Sequence, residues 1–270
     1  MSESEGRGRV GRVGVLALRQ RLSDRDRQIL ELVGLLRLLR APQIQTVLFP
    51  DERHASPATA ARCCRRVLER LTRERLLVRL ERRVGGVRAG SASFIYALGS
   101  LGQRVLDQGG PRRRLSEPSE RFVDHTLAVA EFFVRLCVQG RAGACELLEW
   151  QSEPGCWREV ITLGGRVILR PDLFVVLGVG DYELRWFVEI DRGSEHLPAI
   201  TRKCRLYHSY YKGGSEQRRY RVFPRVLWVV PDERRAERLR AMIAADRRLT
   251  SDLFRVTTSE RALAAIGETS

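Results

Sequence analysis

The sequence predicts two domains: an α+β domain of three helices followed by a β-hairpin, and an α/β domain built on a mixed sheet. Apolar residues recur at helical spacing in three segments before residue 76, and two strand-like segments follow them. Glycine, proline, arginine and serine then dominate residues 109–119. The charge changes at the same place: residues 1–115 carry 24 basic and 11 acidic side chains, net +13, whereas residues 116–270 carry 24 and 22, net +2.

These boundaries divide the 270 residues into five segments. We predict a flexible basic tail (1–21), a first domain (22–108), a linker (109–119), a second domain (120–257) and a C-terminal tail (258–270).

The first domain follows the element order of a winged helix-turn-helix. Ser23 is expected to cap the first helix, residues 44–49 form a short second helix, and Ser56 with Pro57 begins a third helix that ends near residue 76. Strands 76–84 and 93–98 enclose a glycine-rich tip, and a helix over 101–106 completes the domain. In a winged helix the third helix enters the major groove and the wing contacts phosphates.

Arginines line the polar face of the third helix and the glycine-rich tip. Together with the +13 charge of the first half, they predict binding to double-stranded DNA through Arg62, Arg65, Arg66, Arg70, Arg73 and Arg88. Two alternatives remain open: a solvated helix surface, or a winged helix that binds protein. The third helix has no Asn or Gln to indicate a preference for adenine.

The second domain is predicted to have the order α-β-β-β-α-β-α, a mixed sheet flanked by helices. Its expected helices cover residues 125–138, 198–211 and 233–246, and its expected strands cover 147–150, 157–163, 167–177, 183–191 and 225–230. The third strand is interrupted at Asp172.

Three carboxylates on this sheet are candidate metal ligands. Alternation along 183–191 places Glu189 and Asp191 on the same side, about 7 Å apart. With Asp172 from a neighbouring strand they would form an all-oxygen pocket suited to Mg²⁺ or Mn²⁺. The alternative is a set of carboxylates held by arginines such as Arg192 or Arg202.

Lysine use indicates a candidate catalytic cation. The only two lysines, Lys203 and Lys212, follow the acidic strand, whereas the other 46 basic residues are arginine. A compact ammonium that can lose its proton suits metal-dependent phosphodiester cleavage better than a guanidinium does. Chance retention in an arginine-rich chain is the alternative.

Several motifs resemble known families. Glu131, Pro171-Asp172 and Glu189-Ile190-Asp191 resemble the PD-(D/E)XK nuclease superfamily, whose core has the same element order. Over residues 22–250 the chain resembles the replication-relaxation family of bacterial plasmid and mobile-element proteins. The matching residues are the winged-helix half, His125-Thr126-Leu127, the FVEIDRGSE segment at 187–195, Lys203, Tyr207 and Tyr210.

The resemblance implies a role in plasmid replication and in relaxation of plasmid DNA, with a nuclease-like second domain. It implies Asp172 and Glu189 as metal ligands, Glu131 as a helix-borne acid, and lysine where this chain has Asp191; Lys203 is the candidate replacement. The alternative is a non-catalytic DNA-binding accessory or transcriptional regulator whose inactive nuclease fold recruits a replication initiator or a relaxase. His125 is interpreted as a capping or packing residue.

Other classes are disfavoured by composition. The six cysteines have neither CxxC spacing nor a histidine at zinc-finger spacing, so we expect reduced thiols. No apolar stretch is long enough for a membrane span, and we expect a cytoplasmic protein. The four histidines lack the spacing of the metal site that a tyrosine-dependent relaxase would need. The oligomeric state and the choice between nicking and double-strand cleavage stay open.

Overall fold

The computed structural model describes residues 11–80, 93–106, 118–162 and 164–268. The chain divides into two compact units, residues 1–123 and 124–270. The predicted linker lies almost entirely outside the described residues, as do the glycine-rich tip and Arg88.

The first unit combines helices with a small antiparallel sheet. Its elements are α1 (Arg12–Arg21), α2 (Asp24–Leu36), β1 (Leu39–Arg40), α3 (Ala41–Leu48), α4 (Pro57–Arg73), β2 (Leu77–Leu80), β3 (Ile95–Leu98) and α5 (Ser100–Leu106). The sheet has the order β1-β3-β2, with both pairings antiparallel. The three predicted helices, the strand on each side of the tip and the final helix are therefore all present.

Side-chain caps define where two of these helices begin. The hydroxyl of Ser23 accepts from the backbone N–H of Asp26, whose carboxylate accepts from the N–H of Ser23 in return. Ser56 accepts from the N–H of Thr59, and Pro57 occupies the first helical position, where its missing N–H costs nothing. These caps hold α2 and the long arginine-bearing α4 at the predicted starts.

Parts of both predicted tails form regular secondary structure instead of the expected flexible or unstructured ends. Residues 12–21 form α1, because Val15 and Leu18 are half-buried at helical spacing and Leu22 is buried just beyond them. At the other end, Phe254–Thr258 forms a strand, and Ala262–Gly267 forms a helix that buries Ile266.

The second unit is a mixed sheet covered by helices. Its elements are α6 (Glu120–Arg141, which begins just before the unit boundary), β4 (Glu146–Ser152), β5 (Arg158–Thr162), β6 (Gly165–Leu169), β7 (Leu173–Val179), β8 (Tyr182–Ile190), α7 (Leu197–Gly213), α8 (Ser215–Tyr220), β9 (Arg225–Val230), α9 (Glu233–Ala245), β10 (Phe254–Thr258) and α10 (Ala262–Gly267). The sheet has the order β10-β9-β8-β7-β4. β4, β7 and β8 pair antiparallel, whereas β8, β9 and β10 pair parallel.

The helices and strands predicted for this unit are all present, and the differences are of two kinds. The expected strand 167–177 divides at Pro171 into β6, which pairs only with β5 in a separate hairpin, and β7, which enters the main sheet. α8, β10 and α10 were not predicted. One face of the sheet packs against α7 and α9 through buried aromatic side chains, among them Phe174, Phe187, Tyr207 and Trp228.

No helix in the described part of the chain is long and apolar enough to cross a membrane.

Candidate functional site

Two buried carboxylates lie side by side where β7 begins and β8 ends. Leu173 pairs with Val188, which places Asp172 beside Glu189 on the neighbouring strand. The N–H of Asp172 donates to the carbonyl of Val188 (3.1 Å), and the N–H of Ile190 donates to Asp172 Oδ2 (2.7 Å). Asp172 is 8 % exposed and Glu189 is 2 % exposed. Charges this deeply buried require hydrogen-bonding partners.

Helix α7 supplies both partners of Glu189. Lys203 Nζ donates to Oε2 at 2.5 Å, and the hydroxyl of Tyr207 donates to Oε1 at 2.6 Å. The two donors are four residues apart, so they lie on the face of α7 that covers the sheet. The structure thus brings Asp172, Glu189 and Lys203 together, as the nuclease resemblance implied.

Helix α6 contributes a histidine to the same cluster. His125 Nε2 lies 3.0 Å from Asp172 Oδ1. His125 was interpreted as a capping or packing residue, and the structure adds that its ring contacts this buried carboxylate. Its side chain is 39 % exposed, which makes it the most solvent-accessible member of the cluster.

Burial and charge determine how the cluster titrates. Burial raises the pKa of Glu189 to about 8, against the opposing effect of the Lys203 ammonium. Burial alone would lower the pKa of Lys203, but the carboxylates of Glu189 and Asp172 raise it above the ordinary lysine value. Burial would raise the pKa of Asp172, yet the hydrogen bond from His125 and the charge of Lys203 hold it below its ordinary value. Lys203 therefore stays charged, whereas the raised pKa of Glu189 brings its titration close to neutral pH.

Glu131 is not placed with these residues. It lies on an exposed part of α6, six residues beyond His125. Six residues rotate a helix by roughly 240° and advance it by about 9 Å. The helix-borne group that contacts Asp172 is His125, whereas the role that the resemblance implies for Glu131 stays a prediction.

Asp191 also has a different environment from the predicted one. Its Oδ2 accepts from Arg235 Nε of α9 at 2.7 Å, and its Oδ1 accepts from the N–H of Gly193 at 2.8 Å. Arg235 in addition donates to the carbonyl of Glu195. Asp191 thus ties the end of β8 to α9, while Glu189 is bonded to α7.

The fit of this cluster to a divalent metal is partial. Asp172 and Glu189 are adjacent and offer the oxygen ligands that Mg²⁺ and Mn²⁺ prefer. Each of their carboxylate oxygens already has a protein donor, and Asp191 is held by Arg235. No group of three or more Asp, Glu, His or Cys side chains is placed to hold a metal within the described ranges. The predicted three-carboxylate pocket is not preformed.

The arginines of α4 form a second candidate site, in the first unit. Arg62, Arg65, Arg66 and Arg73 are exposed, and in the described part of the chain none of them forms a salt bridge. Arg62, Arg66 and Arg73 follow one another at intervals of four and seven residues, so they lie along one stripe of the helix. We call this surface, with the adjacent Arg65, the α4 arginine face.

Arg70 lies at the edge of this face, four residues beyond Arg66, but its guanidinium is paired with a carboxylate. Its Nη2 lies 2.5 Å from the Oδ1 of Asp26 on α2, whose side chain is 4 % exposed. A second, longer contact of 3.7 Å joins it to Glu74. The prediction that Arg70 contacts DNA conflicts with this geometry, because a buried carboxylate already holds the guanidinium.

A family model for replication-relaxation proteins matches residues 30–226. The chain belongs to the replication-relaxation family. Membership indicates a role in the replication or relaxation of plasmid or mobile-element DNA. No curated protein and no solved structure matches the chain.

The family match spans both candidate sites. It runs from the middle of α2 to the start of β9, so it includes α4 as well as Asp172, Glu189, Lys203 and Tyr207. Two sequence signals pointed to the polar partners in the cluster. The four-residue spacing of Lys203 and Tyr207 matches one helix face, and the family segment opening at His125 lies in the first half of α6.

Proposed function

We propose that this replication-relaxation protein binds double-stranded DNA through the α4 arginine face. The observation that supports this most strongly is that four arginines are exposed on one helix without carboxylate partners in the described part of the chain. Folded proteins usually pair or disperse such charges, and a stripe of unpaired guanidinium groups matches a row of phosphates. The +13 charge of residues 1–115 supports the same polyanionic partner.

The element order supports a winged-helix arrangement for this unit. Helix α4 follows the short α3, and the antiparallel pair β2–β3 follows α4. In that arrangement α4 is the helix that enters the major groove. The arginines would contact phosphates and guanine edges, and the fold would determine their register.

Duplex binding over a range of salt concentrations tests this proposal. Arg65→Ala and Arg66→Ala should each weaken binding roughly eightfold at 0.1 M salt and lower the salt slope by about one. Arg238→Ala is the matched control, because Arg238 is exposed on α9 in the other unit and its loss changes the net charge equally. Equal affinities for all three variants would refute the proposed interface.

A second candidate function is metal-dependent DNA cleavage by the Asp172–Glu189 cluster. The observation that favours it is the position of Lys203. This lysine, one of the two in α7, contacts Glu189, which lies next to Asp172. A bound divalent metal would activate water and stabilise charge on a phosphodiester. Asp172 and Glu189 would hold it, and Lys203 would present a proton and a positive charge beside the phosphate.

A supercoiled-plasmid assay with Mg²⁺ or Mn²⁺ separates this candidate from a non-catalytic accessory. Nicking that disappears in Asp172→Asn and in Lys203→Met, while Lys212→Met retains it, would establish the enzyme. Duplex binding without nicking under either metal favours the accessory reading, in which the second unit recruits a replication initiator or a relaxase.

A further inference from the structure

A groove of about 630 Å³ lies beside the C-terminal half of α4 and the strand that follows it. Its lining includes Arg73 and Glu69 of α4, Arg75 at the end of the helix, Arg79 of β2 and Tyr96 of β3. Arg73 also belongs to the α4 arginine face. The groove is therefore continuous with the proposed DNA-binding surface and extends it towards the sheet.

The charge of this groove is predominantly positive. Among the described residues, three guanidinium groups line it against a single carboxylate, that of Glu69. Arg79 stacks on the half-exposed ring of Phe94, with 4.1 Å between its Cζ and the ring centroid. Stacking occupies the planar face of a guanidinium and leaves its N–H edge available to oxygen acceptors. The groove thus has the donor chemistry of a phosphate site.

The backbone at Arg75 allows its side chain to be removed without strain. Arg75 has φ +59°, in the left-handed region that a side chain makes costly, where helices usually place glycine. Its N–H donates to the carbonyl of Thr72, and the next N–H, of Leu76, donates to that of Leu71, which is the Schellman pattern. A glycine here would close the helix with less strain, and the chain places an arginine at this kind of position at Arg37 and Arg221 as well.

We propose that this groove binds a backbone phosphate of the duplex that lies on α4, with Arg75 and Arg79 as the contacting residues. This inference rests on the proposed DNA binding and adds Arg75 and Arg79 to the residues that contact the duplex. The ligand is the phosphodiester of double-stranded DNA. Glu69 limits the net positive charge of the groove and opposes the phosphate.

Arg75→Gly tests the role of the side chain without a cost in folding. The substitution removes the guanidinium and at the same time relieves the left-handed strain, so the melting temperature should not fall. The matched control is Arg221→Gly, because Arg221 likewise follows a helix with a left-handed backbone (φ +65°), here the short α8 of the second unit. Both variants lose one positive charge.

The expected result is that full-length Arg75→Gly binds duplex DNA roughly eightfold more weakly at 0.1 M salt, with a salt slope lower by about one. Arg221→Gly should bind as the native protein does. Glu69→Gln should bind more tightly than the native protein, because the opposing carboxylate is removed.

Three results would overturn the inference. If Arg75→Gly matches Arg221→Gly while Arg65→Ala still weakens binding, the groove does not contact DNA and the α4 arginine face alone does. If the native protein does not bind duplex DNA, the proposed function fails with it. If inorganic phosphate alone saturates an Arg75-dependent site at micromolar concentration in calorimetry, the groove is a free-anion site rather than a backbone contact.

Discussion

The ammonium of Lys203 on α7 lies 2.5 Å from a carboxylate oxygen of Glu189 at the end of β8. Glu189 is 2 % exposed and the lysine side chain is 27 % exposed, so the acid depends on its partner more than the lysine does. The same ammonium interacts with Asp172. The positive charge of Lys203 therefore offsets part of the cost of burying both carboxylates.

Lys203→Met should destabilise the protein increasingly as the pH rises. Without the ammonium the pKa of Glu189 rises further above the value of about 8 that burial already causes. A raised acid pKa removes stability as the pH climbs from the unfolded value through the folded one. We expect a loss of about 3 kcal/mol in the free energy of unfolding at pH 9, smaller at pH 6.

Urea unfolding at pH 6 and pH 9 measures this effect. The other lysine provides the control, because Lys212 is exposed near the end of α7 and Lys212→Met should unfold with the native midpoint. A Lys203→Met midpoint equal to that of Lys212→Met at pH 9 would show that the ion pair contributes nothing to stability.

His125 should titrate above the ordinary histidine value. Its hydrogen bond with Asp172 raises its pKa, although burial acts in the opposite direction. A raised histidine pKa stabilises the fold below the unfolded pKa, and this contribution disappears as the pH rises through the folded pKa. Because the ring is 39 % exposed, solvent screening keeps the effect below about 1 kcal/mol.

NMR titration of the imidazole measures this pKa directly. Asp172→Asn should return it towards 6.5, the unperturbed value. The stability of the native protein should fall relative to His125→Gln between about pH 6 and pH 8. An imidazole pKa below 6.5 in the native protein would contradict the contact with Asp172.

Local features of this fold were predictable from the sequence, and the long-range ion pairs were not. Ser23 and Ser56 begin helices because their hydroxyls cap nearby N–H groups, which depends only on neighbouring residues. Strand alternation correctly placed Glu189 on the face that α7 covers.

The partners of Asp26 and Asp191 depend instead on which helices pack together. Asp26 pairs with Arg70, and Asp191 pairs with Arg235, in each case 44 residues along the chain. With 46 arginines in the sequence, no local pattern selects the one that reaches a given carboxylate. The same limit explains why Asp191 was predicted to face a metal and why Arg70 was assigned to DNA.

Arg70→Ala should lower stability and leave the α4 arginine face intact. The substitution leaves the carboxylate of Asp26 buried with only the N–H of Ser23 as a donor. We expect a loss of about 1–2 kcal/mol in the free energy of unfolding, less than for a fully buried pair because Arg70 is 39 % exposed. Arg66→Ala, which removes an exposed neighbour on the same helix, should leave stability unchanged.

Chemical unfolding and duplex binding of both variants distinguish the two roles. Arg70→Ala should change the unfolding midpoint far more than the affinity measured well below that midpoint, and Arg66→Ala should do the reverse. A loss of affinity in folded Arg70→Ala as large as that in Arg66→Ala would restore Arg70 to the DNA interface.

Asp191→Lys should not create a nuclease, although it restores the lysine that the PD-(D/E)XK pattern has at this position. The side chain of Asp191 is fully buried and bonded to Arg235, whose own side chain is 11 % exposed. A lysine would place two positive charges together in a site that water does not screen, so we expect the free energy of unfolding to fall by at least about 3 kcal/mol.

The double variant Asp191→Lys/Arg235→Glu reverses the pair and should recover part of that loss, as measured by urea unfolding. Faster metal-dependent nicking by folded Asp191→Lys than by the native protein would show instead that position 191 faces the Asp172–Glu189 cluster.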